Sequence, residues 1–392
     1  MKKIFLALSF LFIIENKALS FNYKNFLLES GFENVYVKED KEEIILSYEN
    51  RTFLYEINAL GYILSKIPNT DKKVSFYIQS NGNQILALKL YYKDYIDFIN
   101  NKITQEEFSS KLEMEQNPKI IINKFENNLF LHTDLVISPS YYFFQKEGPT
   151  IYFSPYVNIL FNNGFSFSSR YSFPIYNIVN SFDLEKNLKQ FPATFLYNYF
   201  DYSIPIDNLP LWITLRAGHN GNGFSNNLLI SNDIKYNLLD GWFNLNLSSG
   251  LIYNINTNKT DFHFTPYGQF YWGNLDLVLE SGAGKFLNND YGFWGRITRQ
   301  FDFSDIGFSL YRVINQGKGE WRFNFEYNIA IGTEPSPKAS NFRIIYPRFH
   351  KGFLYAGSGG GNSVSFYSNE LFIKRLYPEY IKTHLYFFKK YK

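Results

Sequence analysis

The 392-residue chain contains no cysteine, which excludes disulfides, cysteine-ligated metals and a lipid-modified N-terminal cysteine. It lacks a charge excess of either sign. Its formal net charge is +3, and it falls by two when Lys2 and Lys3 are removed, so no basic field points to nucleic acid. His132, His219, His263, His350 and His384 are scattered and form no H-x-x-x-H or H-E-x-x-H pair. Zinc therefore has little support, and no metal or cofactor is expected. No serine is paired with a histidine by any local pattern, so no catalytic residue is assigned. Gly357-Ser-Gly-Gly-Gly361 has no Walker lysine after it and reads as a flexible turn, not a phosphate cradle. The only early apolar run, Ile4 to Ile14, is too short to span a bilayer and is followed by Glu15.

What the chain has is rings. Aromatic residues make up 20% of it, with 42 Phe and 32 Tyr, yet mean hydropathy is −0.25. Helical membrane proteins are far more apolar, whereas a barrel hides half of each strand's polarity in its lumen. In Glu320–Ile331, Trp321, Phe323, Phe325, Tyr327, Ile329 and Ile331 alternate with Arg322, Asn324, Glu326 and Asn328, the period-two pattern of a strand. Its length suits the ~9–11 residues of a tilted transmembrane strand better than the ~5–6 of an average soluble one.

The pattern recurs. Phe165, Phe167, Ser169, Tyr171 and Phe173 oppose Ser166, Ser168, Arg170 and Ser172; Leu211, Ile213, Leu215 and Ala217 oppose Trp212, Thr214 and Arg216. Phe243, Leu245 and Leu247 oppose Asn244, Asn246 and Ser248. Leu275, Leu277 and Leu279 oppose Asp276 and Glu280, and Phe293 and Ile297 oppose Arg296, Thr298 and Gln300. Turn clusters such as Asn162-Asn-Gly164, Asp240-Gly241 and Asn288-Asn-Asp290 lie between them. The expected fold is mainly β: an antiparallel transmembrane β-barrel of about 12 strands with its apolar face outward. A two-sheet sandwich, burying its apolar faces against each other, is the soluble alternative.

In chain order, residues 1–20 read as a signal peptide, with charged Met1–Lys3, an apolar stretch and small residues at Ala18-Leu-Ser20. Residues 21–112 read as a small α+β periplasmic domain. Helices are expected at Tyr23–Glu29, Arg51–Lys66, Asp94–Asn100 and Gln105–Leu112. Strands are expected at Asn34–Val37, Glu43–Tyr48, Val74–Ile78 and Ile85–Tyr91, with the charged Lys38–Glu42 as a turn. Residues 113–125 read as a linker and 126–392 as the barrel, with a short tail after Phe388.

On the inward side the pattern places Arg170, Arg216, Asp276, Glu280, Arg296, Arg322 and Glu326. They either fill a narrow lumen by pairing or line a path for a polar ligand. Trp212 and Tyr311 are inward candidates for saccharide platforms.

Leu27-Leu-Glu-Ser-Gly-Phe-Glu-Asn-Val35, Tyr48-Glu-Asn-Arg51, Ala59-Leu-Gly61 and Ile85-Leu-Ala-Leu88 resemble the periplasmic module of YjbH-like exopolysaccharide proteins. Ala283-Gly-Lys-Phe-Leu287, Asp290-Tyr-Gly292 and Arg299-Gln-Phe301 resemble that family's barrel segment. The resemblance implies a non-enzymatic outer-membrane β-barrel associated with export or assembly of exopolysaccharide or capsule, its N-terminal domain in the periplasm. The implied partners are outer-membrane lipid, the polysaccharide and periplasmic export proteins. Gly284, Asp290, Gly292 and Arg299 in the matched stretch read as structural. Family members are longer than this chain. A general porin-like solute channel is the alternative, followed by an outer-membrane lipid-modifying enzyme.

Overall fold

The computed structural model describes residues 21–119 other than 54 and 81, 131–144, 148–161, 164–177, 181–190, 194–221, 226–286, 290–301, 304–315, 318–330, 342–345, 348–356 and 378–391. The expected signal peptide and the Gly357–Gly361 turn lie outside the described residues.

The N-terminal unit is a five-stranded sheet in sequential order, β1 (Glu33–Glu39), β2 (Glu43–Glu49), β3 (Lys73–Ser80), β4 (Asn83–Tyr91) and β5 (Glu113–Gln116). Only β2 and β3 run parallel, and helix α2 (Glu56–Lys66) makes that crossover. Helix α1 (Tyr23–Glu29) is capped by the Asn22 side chain, which accepts from the Asn25 N–H at 3.0 Å. The turn between β1 and β2 is held by Asp40, whose carboxylate accepts from the N–H groups of Glu42 and Glu43. Helices α3 (Tyr92–Ile99) and α4 (Gln105–Ser110) follow β4, the latter with a Thr104/Glu107 capping box.

Two differences from the sequence reading have local causes. The helix expected from Arg51 begins at Glu56, because Asn50 Oδ1 accepts from the N–H groups of Thr52 and Phe53 and holds that stretch in a turn. The linker expected over 113–125 does not begin at residue 113. Glu113–Gln116 is a short edge strand on β4, its end pinned by a 2.7 Å ion pair between Lys73 and Glu113.

The rest is one large sheet of 14 strands in the order β18-β6-β7-β8-β9-β10-β11-β12-β13-β14-β15-β16-β17-β19. Its strands are β6 (Leu131–Phe144), β7 (Gly148–Phe161), β8 (Phe165–Asn177), β9 (Thr194–Ile206), β10 (Leu211–Gly221), β11 (Asn226–Leu238) and β12 (Phe243–Asn254). Then come β13 (Lys259–Trp272), β14 (Leu277–Lys285), β15 (Tyr291–Gln300), β16 (Ser304–Asn315), β17 (Lys318–Ala330), β18 (Phe342–Ile345) and β19 (Arg348–Ala356). From β6 to β17 every neighbour is antiparallel and consecutive in sequence; β18 alone pairs in parallel, with β6. The hydrogen-bonded order is open among the described residues, running from β18 to β19, and β19 also comes close to β6. Among the described residues no helix is long and apolar enough to cross a membrane.

The two faces of this sheet invert the usual rule for soluble proteins. Large apolar side chains stand exposed at alternate positions, among them Phe200, Leu215, Ile230, Leu251, Phe262, Phe293, Ile297 and Phe308. Ile230 is 68% exposed while Asn244, on the other face, is 0%. That other face is polar and covered: Arg216, Ser231, Asn237, Gln269, Glu280 and Ser309 are all buried. Polar residues on the apolar face pair with each other, Ser169 with Asn198 and Ser249 with Asn232, each at 2.5 Å across neighbouring strands.

The C-terminal segment departs from the all-strand expectation for 126–392. Pro378–Thr383 is a helix, α6, preceded in the chain by helix α5 (Leu184–Gln190) of the β8–β9 connection, and Leu385–Tyr391 is a 3₁₀ turn. The segment packs into the N-terminal unit. Phe388 is fully buried between Tyr95 and Phe108, and Tyr391 meets Phe53 and Tyr62 edge-on. Gly61 in α2 makes the room: a Cβ there would lie 3.0 Å from Tyr391 and 3.2 Å from Phe388. The continuous apolar core runs from the N-terminal sheet through Tyr380, Ile381 and Leu385 to Trp212, Tyr271 and Val278 on the covered face of the large sheet.

Candidate functional site

The covered face of the large sheet gathers the chain's polar chemistry into ordered rows. Register aligns Gln269, Glu280, Arg296 and Ser309 across β13 to β16. Gln269 donates to Glu280 Oε1 at 3.2 Å, Arg296 Nη1 lies 3.6 Å from Glu280 Oε2, and Asn244 donates to Gln269 at 3.3 Å. Two residues along each strand, the next row is Tyr267, Gly282, Trp294 and Tyr311. Its rings touch in sequence, Tyr267 to Trp294 at 5.4 Å and Trp294 to Tyr311 at 6.2 Å with near-parallel planes.

A second charged cluster lies on β9 to β11. Arg216 Nε donates to Asp201 at 2.7 Å and Nη2 to the same carboxylate at 3.3 Å; Asp233 is 3.8 Å away. This is the bidentate fork that a guanidinium makes with a carboxylate. The Arg216 guanidinium also lies 5.1 Å from the Tyr199 ring. Nearby, Ser248 Oγ and His263 Nε2 approach to 3.3 Å on neighbouring strands. Sequence spacing could not show this pair, because the register of β12 on β13 brings it together.

The inward candidates divide. Arg216, Glu280 and Arg296 stand on the covered face with opposite charge beside them, and half-buried Arg170 stands opposite Tyr156 and Tyr197 in register. Arg322 and Glu326 take register positions opposite Tyr311 and Gly307; their side chains lie outside the description. Asp276 does not line the face. It sits in a left-handed turn between β13 and β14 (φ 51°), where its carboxylate accepts from Tyr271 Oη at 3.1 Å and lies 2.8 Å from His384 Nε2. The alternation of Leu275, Leu277 and Leu279 suggested a strand position, but the 3₁₀ turn at Gly273–Leu275 resets the phase. Trp212 is no open platform either: it is buried in the apolar core. Tyr311 stands in the aromatic row. Tyr267 and Trp294 join it, and both share strand parity with polar Gln269 and Arg296.

The stretch carrying the barrel resemblance is structural in its contacts. Gly284 and Gly292 are register partners, and a Cβ on either would run into a neighbouring carbonyl, Phe264's or Arg312's. Asp290 is buried, and its carbonyl accepts from the Phe286 N–H at 2.7 Å. Arg299 is exposed, 5.2 Å from the Phe301 ring at the strand end.

The N-terminal unit and C-terminal segment lie across one end of the sheet. Asn117 donates to the carbonyls of Leu209 and Leu211 at 2.6 and 3.3 Å, and its own carbonyl accepts from the Asn208 N–H. Asn237 donates to Gln116, and Lys119 pairs with Asp207 at 2.5 Å. From the C-terminal segment, Lys382 pairs with Asp240, His384 reaches Asp276, and Tyr380 packs on Tyr271. All these contacts fall in, or at the strand ends beside, the turns between β9 and β10, β11 and β12, and β13 and β14, so they share one end.

Within the N-terminal unit, the residues of the first resemblance converge. Arg51 is held at 2.9 Å by both Glu33 and Glu49, all three buried. Asn34 (φ 50°) and the Gly82 N–H donate to the other Glu49 oxygen. Beside them, burial pushes the Glu56 carboxyl up to about 7 against the opposing 2.6 Å hydrogen bond from Tyr48, with nearby Glu49 adding to the rise. Comparison of the chain with models of known protein families, and with curated proteins, gives no match.

Proposed function

We propose that this chain is an outer-membrane β-barrel, capped on its periplasmic side by the N-terminal unit, that takes part in export or assembly of exopolysaccharide or capsule without catalysing a reaction. The observation that carries the membrane part is the inverted sheet, apolar and exposed on one face, polar and buried on the other. A single sheet can cover its own polar face by curling round it. In lipid every backbone N–H and C=O must be paired within the protein, so such a sheet closes. The approach of β19 to β6 supports closure. Strands from β6 to β17 of 9 to 14 residues meet the span that tilted strands need, ~9–11 residues. Trp242 and Trp272, exposed near the turns at the capped end, suit an interfacial aromatic belt.

The export part rests on the sequence resemblance, whose periplasmic residues form the buried Glu33–Arg51–Glu49 cluster. An open porin would present free charge to the pore, whereas Arg216 and Arg296 are paired across strands. The Ser248–His263 contact lies on the covered face and not on the exposed apolar one. Two measurements test the proposal. Detergent-extracted protein should migrate differently on a gel before and after boiling, and deleting the gene should change the amount or location of surface polysaccharide. Unchanged polysaccharide would sink the export reading; a chain that stays monodisperse in buffer without amphiphile would sink the membrane reading.

A further inference from the structure

We propose that Tyr267, Trp294 and Tyr311 form a binding track for an uncharged pyranose chain on the covered face of the sheet, an inference that rests on the barrel reading above. Three rings on one face of β13, β15 and β16, 5.4 and 6.2 Å apart, make a ladder across the strands. Gly282 is the rung of β14 between them, and it is glycine for a reason visible in the packing. A Cβ there would lie 2.6 Å from the Tyr267 Cβ, 2.8 Å from the Pro266 carbonyl oxygen and 3.0 Å from Trp294 Nε1, so a side chain would crowd both rings and the neighbouring backbone. The rings are half-buried, not sealed into a core. Toward the end away from the cap, the adjoining row carries the Gly284–Gly292 pair, with the Phe286 ring lying over Gly292 and Val313 next in register.

The neighbouring row supplies the complementary chemistry. Gln269, Glu280 and Arg296 lie two residues along the same strands; Gln269 and Glu280 are buried and bonded to one another, and the more exposed Arg296 guanidinium, paired with Glu280, borders the rings. Sugar rings have apolar C–H faces and a polar hydroxyl rim, and an aromatic platform flanked by planar polar groups matches both. Because Glu280 and Arg296 lie 3.6 Å apart, the site presents little net charge, which selects a neutral chain over an acidic one.

The test uses the full-length protein in detergent, with maltohexaose and cellohexaose as neutral probes and an oligogalacturonate as the acidic one, read by calorimetry. A neutral hexasaccharide should bind; Trp294→Ala should weaken it about tenfold or more, equivalent to ~1.4 kcal/mol. Tyr311→Ala should weaken it less, Trp294→Phe should retain most of it, and Trp321→Phe on the exposed face should change nothing. Absence of neutral binding to a heat-modifiable wild type would overturn the track while leaving the barrel standing. So would unchanged affinity in both alanine variants, or tighter binding of the acidic probe. A wild type that is not heat-modifiable would instead remove the barrel reading and the track with it.

Discussion

Replacing Phe388 with alanine should detach the C-terminal segment from the N-terminal unit. Phe388 is fully buried, with ring contacts to Tyr95 at 6.1 Å and Phe108 at 6.3 Å, and its backbone lies against α2 at Gly61. Truncating a buried phenylalanine costs about 3–5 kcal/mol when the cavity does not collapse. Around it, Lys389 donates to Asn101 at 2.7 Å and Gln105 to the carbonyls of Lys382 and Thr383 at 3.2 and 3.0 Å. These surface bonds are each worth about 0.5–1.5 kcal/mol, less than the loss of the ring. The docked population should therefore fall by about two to nearly four orders of magnitude relative to the open one. Limited trypsin digestion followed by mass analysis reads this directly, since cleavage after Lys382, Lys389 or Lys390 tracks the open population when closing outpaces cutting. Gly61→Val should produce the same release from the opposite side of the contact. Cleavage at the wild-type rate in both variants would refute the packing argument. Equal acceleration at Lys102 would show that the whole unit had unfolded.

Glu56→Gln should remove a pH dependence. Because burial pushes the Glu56 carboxyl up to about 7 from 4.5, the folded state binds the extra proton, so stability from this group is greatest below about pH 4.5 and is lost as pH rises through 7, by about 3 kcal/mol in all. Hydrogen exchange of β2 and α2 peptides should show that slope in the wild type and a flatter one in the variant; identical slopes would contradict it. Arg51→Met leaves Glu33 and Glu49 buried without their cation, a loss of about 3–5 kcal/mol; adding Glu33→Gln and Glu49→Gln should recover most of it in the same exchange experiment. Gly284→Val should lower the yield of heat-modifiable protein because its Cβ meets the Phe264 carbonyl, whereas Gly295→Ala, with its nearest neighbour at 3.8 Å, should not.

Period-two alternation made the large sheet legible, because aromatic and polar side chains are sorted residue by residue along each strand. Helix Tyr23–Glu29 was readable for a similar reason: Asn22 marks its start and Gly31 follows its end. What the sequence hid was set by distance along the chain. The aromatic row needs the register of β13, β14, β15 and β16, and no single strand records its neighbour's offset. The docking of Leu385 and Phe388 joins residues nearly 300 positions apart, as Lys389 with Asn101 shows, so a stretch that reads as the end of the barrel with a short tail becomes part of a core. Asp276 and Trp212 misled for different reasons. A turn broke the phase before Asp276, and neighbouring apolar groups covered a tryptophan that strand parity alone had placed on the polar side.

The chain's lack of cysteine makes the central test clean. Single cysteines at Phe293, Ile297 and Phe308 on the exposed face, and at Thr298 and Ser309 on the covered face, can each carry an environment-sensitive fluorophore in vesicles containing brominated lipid. The account predicts strong quenching at the first three positions and little at the last two, alternating along β15 and β16. Equal quenching at all five positions, or none at any, would contradict it.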